Sequence, residues 1–110
     1  MKDDRAYLGH IRDALDRLAT YTTAGWDAFF EDTRTQDAVV RNLEIVGEAA
    51  TRLSDRAKGL APDVPWKAVA GMRDKLIHDY FGLNLEIVWQ VVEREAPALR
   101  KHVEGFLARL

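Results

Sequence analysis

Four side chains capable of chemistry crowd one short run of this sequence: Arg73, Asp74, His78 and Tyr80. A guanidinium keeps its charge and grips oxyanions through paired N–H donors. An imidazole takes or gives a proton near neutrality. On a helix turning about 100° per residue, Trp66, Val69, Ala70, Leu76, Ile77 and Tyr80 fall within roughly 60° of one direction, with Arg73 in the middle of that apolar stripe. Arg73 cannot shed its charge by deprotonation, so it requires a partner or a solvent-filled cleft. A snorkelling arginine, or one paired with a carboxylate of another helix, meets the same requirement.

Asp74 and His78 stand four residues apart, close enough for the carboxylate to orient the imidazole. Read without function, they are a surface ion pair near a helix end. His78 lies about 140° around a regular helix from Arg73, so the two do not share a face unless the helix distorts or the arginine sweeps round. A second subunit could also complete the arrangement, and the geometry argues for a cleft or a dimer seam. Tyr80 is only about 20° from Arg73, two turns along. It fits either that cleft or a core position with its hydroxyl at the rim.

The elements that must hold these residues are helical throughout, because apolar positions recur at three and four and strand alternation is almost absent. Tyr7, Ile11, Ala14, Leu18 and Tyr21 form the stripe of a first helix starting at Asp3 or Asp4, with Asp13, Asp16 and Arg17 turned to water. Thr20 to Gly25 is a break, and Trp26, Phe29 and Phe30 form a short helical plug at a bundle end. A helix capped between Asp32 and Thr35 carries Val39, Leu43, Val46, Ala50 and Leu53, the seam spacing of bundled helices. That pattern fades over Ser54 to Gly59, and Leu60 to Val64, with Pro62 and Pro65, reads as loop. Pro65 suits a first helical position, so the next helix runs from Pro65 or Trp66 to Tyr80 and stops at Gly82. Asn84 caps a last helix striped by Leu85, Val88, Trp89, Val92, Ala96, Leu99, Val103, Phe106 and Leu110, kinked near Pro97. The expected fold is all-α: four main helices and one short one in an up-down bundle, a single domain over residues 1–110.

Composition narrows the function. The 110 residues are 47% hydrophobic and 31% charged, a globular balance suited to one core. Net charge is −2, and a protein gripping long nucleic acid over a broad surface would normally be basic, so any such contact is local or shared between subunits. There is no cysteine, and His10, His78 and His102 are too far apart in sequence for a His-x-x-His or His-x-x-x-His metal pair, so no metal is expected. The charged start, Met1 to Arg5, leads into no apolar signal segment, and no apolar run could span a bilayer. A cytoplasmic protein with no membrane association is expected.

The run Pro65-Trp66, Gly71-Met72-Arg73-Asp74 and Leu76-Ile77-His78-Asp79-Tyr80 resembles the signature of HepT-like HEPN ribonuclease toxins: Arg, four residues, His, one residue, Tyr. Val39-Val40-Arg41-Asn42-Leu43-Glu44 leading into Gly47-Glu48-Ala49, and Val88-Trp89 after the signature, agree with the same family. The likeness covers residues 5 to 110. Relatives often carry asparagine where this chain has Asp74.

The resemblance implies the toxin of a type VII (HEPN/MNT) toxin–antitoxin system, cutting RNA without a metal or other cofactor. The ribose 2′-OH would attack the adjacent phosphate, Arg73 would hold that phosphate, and His78 would move a proton. Asp74 would support the histidine. Family members dimerise with both motifs on one cleft, so a homodimer and a second His78 are implied. Tyr80 matches the tyrosine on which a partner MntA-type nucleotidyltransferase antitoxin places AMP. A non-catalytic HEPN module that binds such a partner, or a nucleotide, is the alternative. His10 and His102 read as exposed helix residues. Trp26, Trp66 and Trp89 read as packing, Arg41 and Glu44 as a structural pair, and Gly47 and Gly71 as points of close helix approach.

Overall fold

A computed structural model describes residues 2–78 and 84–109, apart from the side chains at 2, 73 and 75–78. Helix α1, Lys2–Tyr21, buries Leu8, Ile11, Ala14, Leu15 and Leu18. Its buried stripe is turned slightly from the expected one: Tyr7 is half-buried and Tyr21 is exposed. The chain breaks at Gly25, whose φ of 89° lies where a side chain would be strained. The short helix α2, Trp26–Glu31, then drives Phe29 into the core. Trp26 and Phe29 pack on Trp89, with ring centroids 5.8 and 5.2 Å away, so this plug is aromatic, as its sequence suggested.

Helix α3, Thr33–Arg52, is the centre of the bundle. Asp32 caps it, accepting from the Arg34 N–H at 3.0 Å and the Thr35 hydroxyl at 2.8 Å. Val39, Leu43, Val46, Ala50 and Leu53 are all buried, as their spacing requires. One flank of α3 packs on α1 and another on the helix that bears Arg73 and His78. Arg17 does not simply face water, because its Nε donates to Oδ1 of the buried Asn42 at 2.8 Å and ties α1 to α3. Asp16 likewise meets Arg100 Nε at 2.6 Å, across to the last helix.

The stretch from Ser54 to Gly59, where the stripe of α3 fades, contains a further helix, α4, Asp55–Leu60, which ends on the first residue of the expected loop. Ser54 caps it, its hydroxyl oxygen accepting from the Ala57 N–H at 3.1 Å. Six residues with only Ala57 buried leave no stripe to read, which is why hydrophobic periodicity missed it. Helix α5, Trp66–His78, follows with Pro65 just before it. The expectation that this helix reaches Tyr80 and stops at Gly82 falls outside the described residues.

Asn84 caps α6, Leu85–Gln90, accepting from the N–H groups of Glu86 and Ile87. A π-helical turn, Val91–Glu95, leads into α7, Ala96–Arg109. The departure from α geometry therefore comes one turn before Pro97. The Ala96 N–H bonds the carbonyl of Val91, five residues back. Proline has no N–H to offer the preceding turn, and a π-turn is a common way to absorb such a fault. The extra residue also preserves the buried stripe, since Val88, Val92 and Ala96 step by four and four before Leu99, Val103 and Phe106 resume the usual spacing. With α7 packed on α1, the described residues form an all-α, up-down, HEPN-like bundle of four main helical segments and two short helices.

Candidate active site on helix α5

Helix α5 is anchored at its start. Trp66 is buried, and its indole N–H donates to the Ala61 carbonyl at 3.1 Å, closing the loop that enters the helix. The Val69 N–H donates to the Pro65 carbonyl at 3.0 Å, the first bond of the helical ladder. Val64, Trp66 and Val69 are buried, and Ala70 and Met72 pack on the core. This fixes the rotation of α5. Positions 66, 69 and 70 face inward, and position 73 continues that stripe by helical register. Positions 67, 71 and 74, by contrast, are exposed, and position 78 continues that outer stripe.

The backbone is α-helical from Trp66 to His78. Positions 73 and 78 therefore keep the separation of about 140° expected of a regular helix. The helix distortion that would set residues 73 and 78 on one face is not present between Trp66 and His78. The side chains of both residues, and all of Tyr80, lie outside the described residues. Asp74 is exposed, one turn before His78 on the outer stripe. Gly71 is also exposed, and a Cβ added there would meet nothing within 4 Å. Packing within the chain thus gives no reason for glycine at 71. Gly47 by contrast is buried in α3.

Beside Met72, between α5, α7 and the π-turn, lies a cavity of about 280 Å³ lined largely by apolar groups such as Leu43, Val46 and Leu99, with Glu95 and His102 as polar members. A second cleft, about 480 Å³, adjoins it between the α4–α5 loop and α7 and shares Val64, Ala98 and His102. Lys101 and Arg109 line this second cleft. Nothing in the sequence pattern singled these two out, because isolated cations on an amphipathic helix are the ordinary solvated face. Only the approach of the 60–64 loop makes a cleft of them. Among the described residues no three His, Asp or Glu side chains converge as metal ligands, and no helix is long and apolar enough to cross a membrane.

His10 and His102 are exposed, and Trp26 and Trp89 are half-buried in the aromatic cluster. Arg41 and Glu44 pair at 3.9 Å.

An HEPN-like bundle in a chain whose sequence carries the run Arg-x4-His-x-Tyr points to a class of small helical ribonucleases. The sequence profile of the family "Ribonuclease HepT-like" matches residues 11–106, and this chain belongs to that family. It is 42% identical over 107 residues to a Methanocaldococcus jannaschii protein named "Putative RNase", covering 96% of this chain and 88% of the relative. A second "Putative RNase", from Caldanaerobacter subterraneus, is 41% identical over 110 residues, covering 99% of this chain and 98% of that one. The "Probable ribonuclease HepT" of Thermococcus cleftensis is 38% identical over 104 residues, 94% of each chain. No solved structure matches.

Proposed function

We propose that this chain is a metal-independent endoribonuclease and the toxin of a type VII (HEPN/MNT) toxin–antitoxin pair, acting in the cytoplasm as a homodimer. The observation that carries the reading is the regular α5 backbone. In a ribonuclease family, it holds an arginine and a histidine on different faces of one helix. Two copies of α5 set side by side would let Arg73 of one chain and His78 of the other serve one phosphate. The exposed, unfilled position at Gly71 would suit such close approach.

In the reaction, the ribose 2′-oxygen attacks the adjacent phosphorus and the bond from phosphorus to the 5′-oxygen of the next nucleotide breaks. A 2′,3′-cyclic phosphate and a free 5′-hydroxyl result. One His78 takes the 2′-hydroxyl proton, and the partner's His78 supplies a proton to the leaving oxygen. Arg73 holds the non-bridging oxygens as their charge builds. Asp74 orients the imidazole from one turn away.

Control of this activity would fall on Tyr80. Addition of AMP to its hydroxyl by an MntA-type nucleotidyltransferase antitoxin would place a phosphodiester anion within reach of Arg73 and exclude the substrate phosphate.

Incubating the purified protein with total RNA and a chelator tests the nuclease reading. Fragments ending in 2′,3′-cyclic phosphate are expected. Intact RNA, or cleavage that the chelator abolishes, would overturn it.

A further inference from the structure

Helix α7 divides its cations between two uses. Arg100 is held by carboxylates, its Nε meeting Asp16 at 2.6 Å and Glu104 at 3.3 Å. Lys101, His102 and Arg109 lie on another face, which Ala98 and Gly105 share, at the three- and four-residue spacing of one helical face. Among the described residues Lys101 and His102 make no ion pair. Arg109 is pre-positioned, its guanidinium carbon 5.7 Å from the centroid of the Phe106 ring. All three are exposed and line the cleft of about 480 Å³ against the loop that enters α5, where Asp63 is the one carboxylate of the lining. On a chain of net charge −2, two cations and a histidine against the single carboxylate of Asp63 are a local excess of positive charge among the described residues.

The cleft also leads somewhere. It shares Val64, Ala98 and His102 with the apolar cavity that Met72, the residue before Arg73, helps to line. From Pro65 to Arg73 the helix rises about 12 Å. A ligand that joins the basic cleft to the α5 site must be an extended polyanion, and the apolar wall of Leu60, Pro62 and Ala98 suits ribose between phosphates.

We infer that the cleft formed by Lys101, His102 and Arg109 binds the phosphate backbone of single-stranded RNA at a distance from the scissile bond. The inference rests on the ribonuclease reading above, and it names where the strand leaves the active site. The cleft lining contains no Phe, Tyr or Trp ring for base stacking, so affinity comes chiefly from phosphate contacts and shows little base preference.

The test uses a short fluorescent single-stranded oligonucleotide whose sugars are 2′-O-methylated. It lacks the attacking hydroxyl, so binding is read independently of cutting. Anisotropy titrations over a salt series compare the full-length protein with the Lys101→Gln/Arg109→Gln variant. Affinity should fall roughly tenfold, and the slope of log affinity against log salt should shrink by about 1.4, two phosphate contacts' worth for a single strand. Lys101→Gln alone should give about half that change in slope. Lys101→Arg/Arg109→Lys, which keeps both charges, should bind like the unmodified protein. Equal binding by the Gln variants at every salt concentration, or no binding of the probe by the unmodified protein, overturns the inference. A protein that binds the probe in this way yet cuts no RNA would remove the nuclease reading and leave the cleft in place.

Discussion

Asp4 lies in the first turn of α1 and Ser54 caps α4, 50 positions along the chain, yet one carboxylate receives both polar hydrogens of the serine. The Ser54 backbone N–H donates to Asp4 Oδ1 at 2.8 Å, and its hydroxyl donates to Oδ2 at 2.7 Å. The same hydroxyl oxygen accepts from the Ala57 N–H and starts α4. The first turn of α1 is thereby locked to the junction between α3 and α4, and Asp4 is buried in the process.

This contact gives stability a pH dependence. The Ser54 N–H, and then its hydroxyl, hold the Asp4 carboxyl below the usual carboxylate range. A group whose folded value is depressed stabilises above its unfolded value, about 3.9, and that contribution is lost as pH falls through the folded value. Asp4→Asn should cost about 1–3 kcal/mol at neutral pH, the worth of hydrogen bonds to a charged acceptor. Urea melts of both proteins between neutrality and strong acid should show the gap closing at low pH. A constant gap would mean that charge at Asp4 is irrelevant.

Trp66 should matter through one atom as well as its bulk. Trp66→Phe keeps an aromatic ring but removes the N–H that satisfies the Ala61 carbonyl. A loss of about 1–2 kcal/mol is expected in chemical denaturation, the cost of leaving a buried acceptor unpaired. Unchanged stability would show that water replaces the indole.

The catalytic assignments make a graded prediction. His78→Ala should lower the rate of RNA cleavage by about 10²–10⁴-fold, the usual worth of a positioned proton-transfer group. Arg73→Ala should fall at least as far. Asp74→Asn should stay within about threefold, because an exposed i,i+4 pair contributes under ~1 kcal/mol. Circular dichroism of all three should match the unmodified protein. Cleavage by the His78 variant at the original rate would refute the mechanism.

Light scattering under conditions of activity should give twice the 12.5 kDa mass of one chain. Substituting Gly71 by a bulky residue such as Leu should weaken the dimer while the monomer keeps its fold, since space at that position is open within the chain. A fully active single chain would leave no basis for a shared site.

Neutralisation should be covalent and confined to Tyr80. Co-expression with the cognate nucleotidyltransferase should raise the mass of the chain by whole AMP units on a peptide containing Tyr80. Tyr80→Phe should remain toxic and escape silencing. If the partner silences the Phe variant as fully, an antitoxin that acts by tight binding becomes the better account.

Local chemistry written in consecutive residues was readable from the chain alone. Val39 to Leu53 repeat at three and four over about four turns, and every member is buried. Asp32 and Asn84 cap the helices that follow them, because a side-chain acceptor needs only the next two or three N–H groups. The Arg-x4-His-x-Tyr run pointed to a HepT-like chain, and the family match agrees. These features depend on helical period and capping, which act within a few residues.

Other features depended on which elements meet. Helix α4 is too short to carry a stripe and forms where Ser54, bound by Asp4 from far along the chain, can cap it. Arg17 looked solvated until α3 brought Asn42 to it. The disturbance expected at Pro97 is taken up one turn earlier in the π-turn, which keeps Val92 and Ala96 in the core. Lys101 and Arg109 were unremarkable cations until the 60–64 loop made one wall of a cleft and α7 the other. Sequence specified the longer helices and the residues placed along them. Their burial, pairing and shared clefts came from helix rotation and approach, which arise from packing among segments distant in the chain and have no period to read.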